Sequence, residues 1–285
     1  MTRLTIATFN VLHGQPPSGA RAEPAVLQSA VAALDADIIG LQELDRHQPR
    51  SGDVDQLALI GDALEAPYRR FVPVLHGVQE LPVQLHSVRS SRVIRPAEPA
   101  LQPAGGEATP ARGASPGLAD AYAYGIGLAS RLPVVSWHVL NFPPAPLRMP
   151  LRVPGRPGLM RVPDEPRAAV AAVVDGLSGP FTVINAHLSF VPGWNVSQLR
   201  RISRWAARMP APRLLIGDFN LPGGLPRTVT GWRQLVRAAT YPSYRPRVQF
   251  DHILAHGPRE VRVHRAEAVR LAVSDHCALV VDVEF

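Results

Sequence analysis

The sequence predicts an α/β fold in which two packed β-sheets are flanked by helices. Short apolar runs with the two-residue alternation of β-strands recur along the chain, and few segments have the period of an amphipathic helix. Hydrophobic residues make up 46% of the 285 residues and charged residues 19%, which is typical of a globular protein with a real core. The length suits one large domain, and we expect residues 1–285 to form a single one.

In the N-terminal part of the chain, apolar patterns predict strands and helices in turn. Residues 4–9 alternate as a strand does, and the pattern breaks at Asn10, where we expect a loop. Residues 24–34 repeat apolar side chains at helical spacing. The next elements are a buried strand that ends at Glu43, a helix and a further strand, predicted over residues 37–41, 54–64 and 71–75.

Two proline-rich stretches interrupt this pattern. From about residue 77 to 119 the periodicity fails and Pro, Ala, Gly, Ser and Arg dominate, so we expect a long surface insertion. Residues 143–166 form the second stretch. Regular patterns resume around these stretches, with strand-like segments at 124–130, 134–140, 168–174, 181–186, 213–217, 249–255 and 277–285, and an amphipathic helix at 195–209.

The charge of the chain is positive and is carried by arginine alone. All 30 residues counted as Lys or Arg are arginines, and the formal net charge is +7. Arginine presents a planar fork of donors that suits phosphate, so an anionic partner is favoured. A GC-rich genome that replaces lysine by arginine is the better explanation of the arginine excess itself. The positive balance still favours an anionic substrate.

Cysteine usage and the absence of long apolar runs exclude several classes of protein. Cys277 is the only cysteine, which rules out an intramolecular disulfide and a thiolate metal cluster. No run approaches the roughly 20 apolar residues of a membrane-spanning helix, and the N-terminus does not read as a signal peptide. We therefore expect a cytoplasmic protein without a transmembrane segment, acting as a monomer.

Polar residues that suit catalysis end or adjoin several of the strand-like runs. Functional sites are commonly built at such strand ends. Each of these residues alone is more often a capping or turn residue, but together they indicate a site. The set is Asn10, Glu43, His187, Asp218, Asn220, Asp251, Asp275 and His276.

Asp218 and Asn220 follow the apolar run 214–217 and lie two positions apart. In an extended chain such positions point to the same face, so we expect the two side chains to project together. The carboxylate suits positioning or deprotonating water, and the amide suits donating to a phosphoryl oxygen. The alternative is an Asx-turn that closes the strand.

The remaining candidates divide between cation binding and proton transfer. If Asp275 and His276 open the last strand, they face opposite ways and serve separate tasks. Asp275 and Glu43 suit a hard divalent cation, which prefers oxygen ligands. His276 suits proton traffic, with Asp251 as its orienting carboxylate. Glu43 as a capping residue and a structural His187 are the competing interpretations.

With these residues in place, the sequence resembles the endonuclease/exonuclease/phosphatase superfamily from Thr8 to the C-terminus. Each motif is weak alone, but the ordered set is specific. In order, the motifs are Thr8-Phe9-Asn10, Leu41-Gln42-Glu43, Tyr124-Gly125-Ile126-Gly127 through Ser130-Arg131, Asn185-Ala186-His187-Leu188, Gly217-Asp218-Phe219-Asn220, Asp251-His252-Ile253 and Ser274-Asp275-His276.

The resemblance implies a four-layer α/β sandwich of two packed mixed β-sheets flanked by helices, with the site at one end of the sheets. It implies a Mg²⁺ cofactor for which Mn²⁺ substitutes. Glu43 resembles the carboxylate that binds the metal ion, with Asn10 beside it and Asp275 as a further ligand.

The resemblance also implies a role for each catalytic candidate. His187 looks like the residue that contacts the scissile phosphate, Asp218 the one that positions or deprotonates water, and Asn220 its phosphate-orienting partner. Asp251 and His276 look like a hydrogen-bonded acid and histidine pair. Water would attack phosphorus in line, and whether Asp218 or His276 takes its proton stays open.

The substrate is not fixed by the resemblance. His252 stands where an aromatic such as tyrosine is common, and His187 stands where abasic-site enzymes carry tyrosine. Arg167 falls where many members have an arginine before a strand, and a structural ion pair explains it equally well. We expect a phosphodiesterase that acts on a small or lipid-linked phosphoester. The alternatives are a DNA or RNA endonuclease or exonuclease, with nucleic acid as partner, and a catalytically inactive binding module.

Overall fold

The computed structural model of the protein describes residues 3–79, 102–103, 122–151, 158–258 and 260–285. Its strands are β1 Arg3–Asn10, β2 Ile38–Arg46, β3 Tyr68–His76, β4 Gln102–Pro103, β5 Ala123–Ser130, β6 Val134–Phe142, β7 Arg148–Leu151, β8 Met160–Pro163, β9 Arg167–Val174, β10 Phe181–His187, β11 Arg213–Asp218, β12 Arg233–Gln234, β13 Asp251–His256, β14 Arg262–Val269 and β15 Ala278–Glu284. Its helices are α1 Pro24–Ala32, α2 Gln56–Ala63, α3 Trp194–Ala206 and α4 Leu225–Thr230, with 3₁₀ turns at Leu12–Gly14 and Pro49–Ser51. Across these described ranges, no helix has the length and apolar character needed to cross a membrane.

Two mixed β-sheets form the centre of the fold. The first has six strands in the order β14-β15-β1-β2-β5-β3, and the second has seven in the order β12-β13-β11-β10-β9-β6-β4. Each contains one parallel pair, β1 with β2 and β10 with β11, between antiparallel neighbours. Strands β7 and β8 pair separately. The prediction of two mixed sheets is confirmed.

Apolar side chains of both sheets meet in a central core, to which Ile6 of β1 and Val183 of β10 belong. On the outer face of the first sheet, Phe9 packs in a cluster with residues of α1 and α2. On the outer face of the second sheet, Leu199 and Ile202 of α3 pack in a third cluster. The layers therefore run helix, sheet, sheet, helix, which confirms the four-layer α/β sandwich. Strands buried on both faces explain the near-continuous apolar runs in the sequence.

A buried polar bridge joins the two sheets close to one end. The side-chain amide of Asn185 on β10 donates to the carbonyl oxygens of Leu41 (2.9 Å) and Gly127 (2.8 Å) in the first sheet. Gln42 donates to the Oδ1 atom of Asn185 (2.6 Å) and to Thr8 (3.0 Å). Because these groups are out of reach of water, the three hydrogen bonds of Asn185 fix the sheets relative to one another, while the bond to Thr8 orients Gln42 within the first sheet.

Two glycines make this close approach of backbone and side chains feasible. A Cβ atom on Gly40 would lie 2.8 Å from the side chain of Asn185, so a larger residue would displace the bridge. Gly217 has φ of 139°, and a Cβ atom there would lie 1.9 Å from the carbonyl oxygen of Ala186. The residue before Asp218 must therefore be glycine.

Several elements differ from the sequence-based expectations. The stretch 143–166 contains the β7–β8 hairpin, and β14 was not expected because it is a largely exposed edge strand rich in charged residues. Helix α3 ends at Ala206, not at residue 209. Most of the predicted insertion 77–119 lies outside the described residues, and its residues 102–103 form β4, which pairs with β6.

Replacing Asn185 by leucine should strongly destabilise the fold, because the carbonyl groups of Leu41 and Gly127 lose a donor and Gln42 keeps only its bond to Thr8. Since each buried polar group left unpaired costs about 1–3 kcal/mol, we expect the free energy of unfolding to fall by about 3 kcal/mol or more. Urea denaturation measures this loss. Asn141→Leu, at a half-buried position of β6 with no side-chain hydrogen bond among the described residues, is the control. A loss below about 1 kcal/mol for Asn185→Leu would contradict the bridge.

Candidate active site

The candidate residues converge at one end of the paired sheets, directly above the Asn185 bridge. In the second sheet, His187 pairs with Asp218 across the parallel strands β10 and β11, and Asp218 pairs with Asp251 at the start of β13. Three candidate side chains thus lie on adjacent strands. From the first sheet, Asn10 at the end of β1 and Glu43 on the neighbouring strand β2 complete the group.

Glu43 does not end its strand, contrary to expectation. Strand β2 continues to Arg46, and its pairing with β5 shifts register between Leu41 and Leu44. Glu43 has φ of 59°, a left-handed conformation that is costly for a residue other than glycine. This bulge turns the carboxylate out of the ladder, and 21% of its side chain remains exposed.

Asn10 connects the two sheets at the site. Its Nδ2 atom donates to Oε1 of Glu43 (2.9 Å) and to Oδ2 of Asp218 (3.0 Å), while its Oδ1 atom accepts from the backbone of Leu12 (3.1 Å). One amide group therefore holds a carboxylate from each sheet in place.

Asp218 and Asn220 do not project together from an extended strand, because β11 ends at Asp218 and Asn220 adopts a left-handed conformation with φ of 49°. The backbone N–H of Asn220 donates to Oδ1 of Asp218 (2.9 Å), which is an Asx-turn. One N–H of the Asn220 side chain donates to the carbonyl oxygen of Leu188 (3.0 Å). The turn fixes one carboxylate oxygen of Asp218 while Asn10 holds the other.

The pair formed by Asp251 and His276 has the predicted contact, with Oδ2 of Asp251 2.8 Å from Nδ1 of His276. Residues 274–276 do not open the last strand, which begins at Ala278; Ser274 instead has φ of 71° and forms a turn. The hydroxyl of Ser274 donates to the carbonyl oxygen of Asn10 (2.6 Å) and accepts from the backbone of His276 (3.0 Å). This turn ties the histidine to β1.

Asp275 lies beside the group without a hydrogen bond to its side chain among the described residues. It is half-buried, and its backbone carbonyl accepts from Ser243 (2.6 Å). Burial has the largest effect on the pKa values of Glu43 and His276, and the charge of Asp275 is a smaller influence that acts to raise both. The argument from strand alternation fails here, but Asp275 still stands apart from the Asp251–His276 pair.

Arg167 contributes more to the site than a structural ion pair. It is buried at the start of β9, and its Nη1 atom lies 3.1 Å from Nδ1 of His187. The carboxylates of Asp164 and Glu165 stay 3.9 Å and 3.8 Å away, and the Nε atom has no partner among the described residues. The sequence signal for this role was an arginine directly before the apolar run that forms β9.

Two tyrosines that sequence reasoning left without a role also line the group. The ring of Tyr241 packs against His276 with centroids 5.0 Å apart. Tyr124 is buried, and burial, with Glu43 next, raises its pKa well above the usual value. Tyr124 begins the motif Tyr124-Gly125-Ile126-Gly127, whereas no sequence signal distinguished Tyr241.

Burial and neighbouring charges shift the pKa values of the central groups. Burial raises the pKa of Glu43 to about 7 and that of Asp218 to about 6, even though the charge of His276 acts to lower both. Burial alone would lower the pKa of His276, but the charge and hydrogen bond of Asp251 outweigh it and raise the pKa to about 10. Burial, followed by the charge of Arg167, keeps the pKa of His187 well below 6.5. At neutral pH, His276 is charged and His187 is neutral.

The donor set fits a hard divalent cation on the side of Glu43. Two carboxylates that share one amide donor and have raised pKa values are a concentration of negative charge that a cation would relieve. Ligand atoms of Asp218, Asp251 and His276 also lie within 4.8 Å of one another. We do not assign a cation to these three, because Nδ1 of His276 is hydrogen-bonded to Asp251 and the imidazole is protonated.

Comparison with known proteins identifies the family and supports the fold. The sequence model of the Endonuclease/Exonuclease/phosphatase family matches residues 7–276. No curated protein matches the chain.

Three solved structures illustrate the likeness in fold. An endonuclease/exonuclease/phosphatase from Beutenbergia cavernae DSM 12333 is 18% identical, with a TM-score of 0.62 over 100% of this chain and 72% of that one. The mannosyl-6-phosphatase Bt3783 of Bacteroides thetaiotaomicron VPI-5482 is 15% identical, with a TM-score of 0.59 over 99% and 100%. The D. rerio TDP2 complexed with a single-strand DNA product is 14% identical, with a TM-score of 0.55 over 100% of both chains.

The match to the family covers nearly the whole chain, and members of the family are hydrolases of phosphate esters or nucleic acids. The protein therefore belongs to the endonuclease/exonuclease/phosphatase family of hydrolases.

Proposed function

We propose that the protein is a Mg²⁺-dependent phosphodiesterase that cleaves a small or lipid-linked phosphoester by in-line attack of water. The observation that carries the proposal is the pairing of Glu43 and Asp218 through the amide of Asn10. This contact brings a cation-binding carboxylate and a water-activating carboxylate together from two different sheets. Such a centre needs no covalent intermediate with the enzyme.

Glu43, with Asn10 beside it and Asp275 as a further oxygen donor, would hold the metal ion. When bound, Mg²⁺, or Mn²⁺ in its place, supplies positive charge to the phosphoryl oxygens and the leaving group. The partial exposure of Glu43 would leave room beside it for water and substrate oxygens. Mg²⁺ bound to a protein usually keeps several water ligands.

Asp218 is proposed to orient water and take its proton. The backbone of Asn220 and the amide of Asn10 each hold one of its oxygens, so the carboxylate is fixed before substrate arrives. A pKa of about 6 leaves it ionised at neutral pH and basic enough to accept a proton. We assign this role to Asp218 and not to His276, because a pKa of about 10 keeps His276 already protonated.

The two histidines are proposed to act on the phosphoryl group in different protonation states. His276, charged and held by Asp251, lies 3.9 Å from Asp218 through its Nε2 atom and would stabilise negative charge that develops nearby. Neutral His187, with Nε2 3.7 Å from Asp218, would hydrogen-bond a phosphoryl oxygen, oriented by Arg167. One N–H of the Asn220 amide remains to orient the phosphate.

A nuclease is the second candidate. The specific observation in its favour is the arginine-rich exposed face of α3, which would suit a phosphate backbone. The complete set of acidic and histidine side chains argues against an inactive binding module.

One domain spanning residues 1–285, a monomeric state and a cytoplasmic location complete the proposal. Cys277 is buried and forms no disulfide, which suits a reducing compartment.

Asp218→Asn should abolish hydrolysis of bis-p-nitrophenyl phosphate in the presence of Mg²⁺, because the amide cannot accept the proton of water. We expect kcat to fall by a factor of about 10² to 10⁴, the usual contribution of a general base. Release of p-nitrophenolate measures the rate. Asp175→Asn, at an exposed position, is the control and should retain wild-type activity. Equal rates for wild type and Asp218→Asn would exclude this role.

Glu43→Gln should weaken metal binding while leaving the fold intact. Because the variant loses the main anionic ligand, we expect the Mg²⁺ concentration for half-maximal activity to rise about tenfold or more, with a parallel loss of Mn²⁺ affinity. Titration calorimetry with Mn²⁺ gives a readout independent of turnover. Glu65→Gln, at an exposed position, is the matched control. An unchanged metal affinity in Glu43→Gln would place the ion elsewhere.

Asp251→Asn should change the pH dependence of kcat/KM. The charge of Asp251 is the main influence that raises the pKa of His276, so without it burial lowers that pKa. The charged imidazole exists only below its pKa, and activity is therefore lost at lower pH in the variant. We expect the basic limb of the profile to move down by about 1 pH unit or more. A basic limb at the wild-type position would show that His276 need not be charged.

A further inference from the structure

The positive charge of the chain is concentrated in one segment. Residues 176–250 contain ten arginines and a single acidic residue, Asp218, which belongs to the active site. The other 22 acidic residues lie outside this segment. The ten arginines are Arg200, Arg201, Arg204, Arg208, Arg213, Arg227, Arg233, Arg237, Arg245 and Arg247. A genome-wide preference for arginine over lysine does not explain why carboxylates are missing here.

As a group, these arginines also differ from the others in their partners. Elsewhere in the described part of the chain, seven of thirteen arginines form ion pairs with carboxylates, namely Arg3, Arg46, Arg50, Arg69, Arg131, Arg167 and Arg265. By contrast, none of the ten arginines in residues 176–250 forms an ion pair with a carboxylate of any described residue. Their charge is therefore not neutralised locally.

Helices α3 and α4 gather part of this charge on one continuous surface. Arg200 and Arg204 are exposed and lie one helical turn apart, about 6 Å along the axis of α3. They line a surface hollow of about 510 Å³ together with Ser203 of α3 and Val229 of α4. We call this surface the α3–α4 face.

A second hollow belongs to the α3–α4 face because residues of α4 line both hollows. It measures about 630 Å³, and Arg227 and Arg237 line it together with Gly224, Leu225, Thr228 and Gly231. Four exposed arginines thus line two shallow surface hollows beside α4, and Gly224 and Gly231 are exposed with open space where a side chain would stand.

The chemistry of the α3–α4 face favours a phosphate backbone over a lipid surface. A helix that binds a membrane buries an apolar face in the bilayer, but Leu199 and Ile202 of α3 are packed in the protein core. Among residues that line the two hollows, Leu225 is the exposed large apolar side chain, at 46%. Guanidinium groups presented in rows match the repeated phosphates of a nucleic acid, which bind with release of counterions.

We propose that the α3–α4 face is a docking surface for a nucleic-acid strand, bound through its phosphate backbone without sequence preference. Binding at this surface does not require that the strand be cleaved, so it is separable from the hydrolytic centre. It would hold a polyanion beside the segment 219–224, which leads from Asn220 of the active site to α4.

The test is binding of a fluorescein-labelled oligothymidylate of about 20 nucleotides, followed by anisotropy in EDTA between about 50 and 200 mM salt. The variant Arg200→Glu with Arg204→Glu should bind about tenfold more weakly or worse, and its salt dependence should drop by more than one unit in slope, since about 0.7 is lost per phosphate contact on a single strand. Hydrolysis of bis-p-nitrophenyl phosphate should stay at the wild-type rate, which reports that the fold is intact.

The control reverses the same number of charges at a different place. Arg262→Glu with Arg270→Glu changes exposed residues in and after β14, at the edge of the other sheet, and should bind the oligonucleotide within about twofold of wild type. If both variants lost oligonucleotide affinity equally, the change in net charge alone would explain the loss, and the proposal would be overturned. Arg200→Gln with Arg204→Gln replaces the glutamates if charge reversal unfolds the chain.

Anionic vesicles of phosphatidylglycerol and phosphatidylcholine distinguish a lipid surface from a nucleic-acid surface. We expect reversal at Arg200 and Arg204 to weaken oligonucleotide binding by the same factor of about ten or more. The proposal would be overturned if this variant lost vesicle binding but bound the oligonucleotide as tightly as wild type. It would also be overturned if the wild-type protein did not bind the oligonucleotide.

Discussion

Polar side chains tie the two sheets together at one level of an otherwise apolar core, and the candidate active site lies directly above that level. Asn185 and Gln42 form the lower tie, and Asn10 forms the upper one between Glu43 and Asp218. Because hydrogen bonds in a dry interior require narrow ranges of distance and angle, they set the separation of the sheets more strictly than apolar contacts do. The spacing of the two carboxylates follows from that separation.

Electrostatics at the site follows from the same arrangement. Side chains from two sheets place acidic groups in a largely buried region, so burial raises the pKa values of Glu43 and Asp218. The Asp251–His276 pair supplies a fixed positive charge nearby, whereas burial, with the charge of Arg167 next, lowers the pKa of His187 and keeps it neutral. The site thus combines a neutral and a cationic imidazole whose Nε2 atoms lie 3.7 Å and 3.9 Å from the same oxygen of Asp218. One histidine can then donate a hydrogen bond to the phosphoryl group while the other stabilises negative charge.

The sequence was a better guide to which residues lie together than to how each side chain is oriented. Apolar alternation identified β1, β10 and β11 because these strands are buried on both faces, and polar residues at their ends therefore stood out. The bulge at Glu43 and the left-handed turn at Asn220 were not predictable from alternation, since a single residue with positive φ changes the direction of the chain without changing its composition. Strand β14 was not predicted because it lies at an exposed sheet edge and carries polar residues in place of the apolar pattern.

The central claim is that Glu43 and Asp218 belong to one catalytic unit, although they come from different sheets. The most direct test is a double-mutant cycle on kcat for bis-p-nitrophenyl phosphate, with Glu43→Gln, Asp218→Asn and the combination. Residues that act as a unit show strongly non-additive losses. The account predicts that the double variant is no slower than the slower single variant. Multiplicative losses would mean that the two carboxylates act independently, and would contradict it.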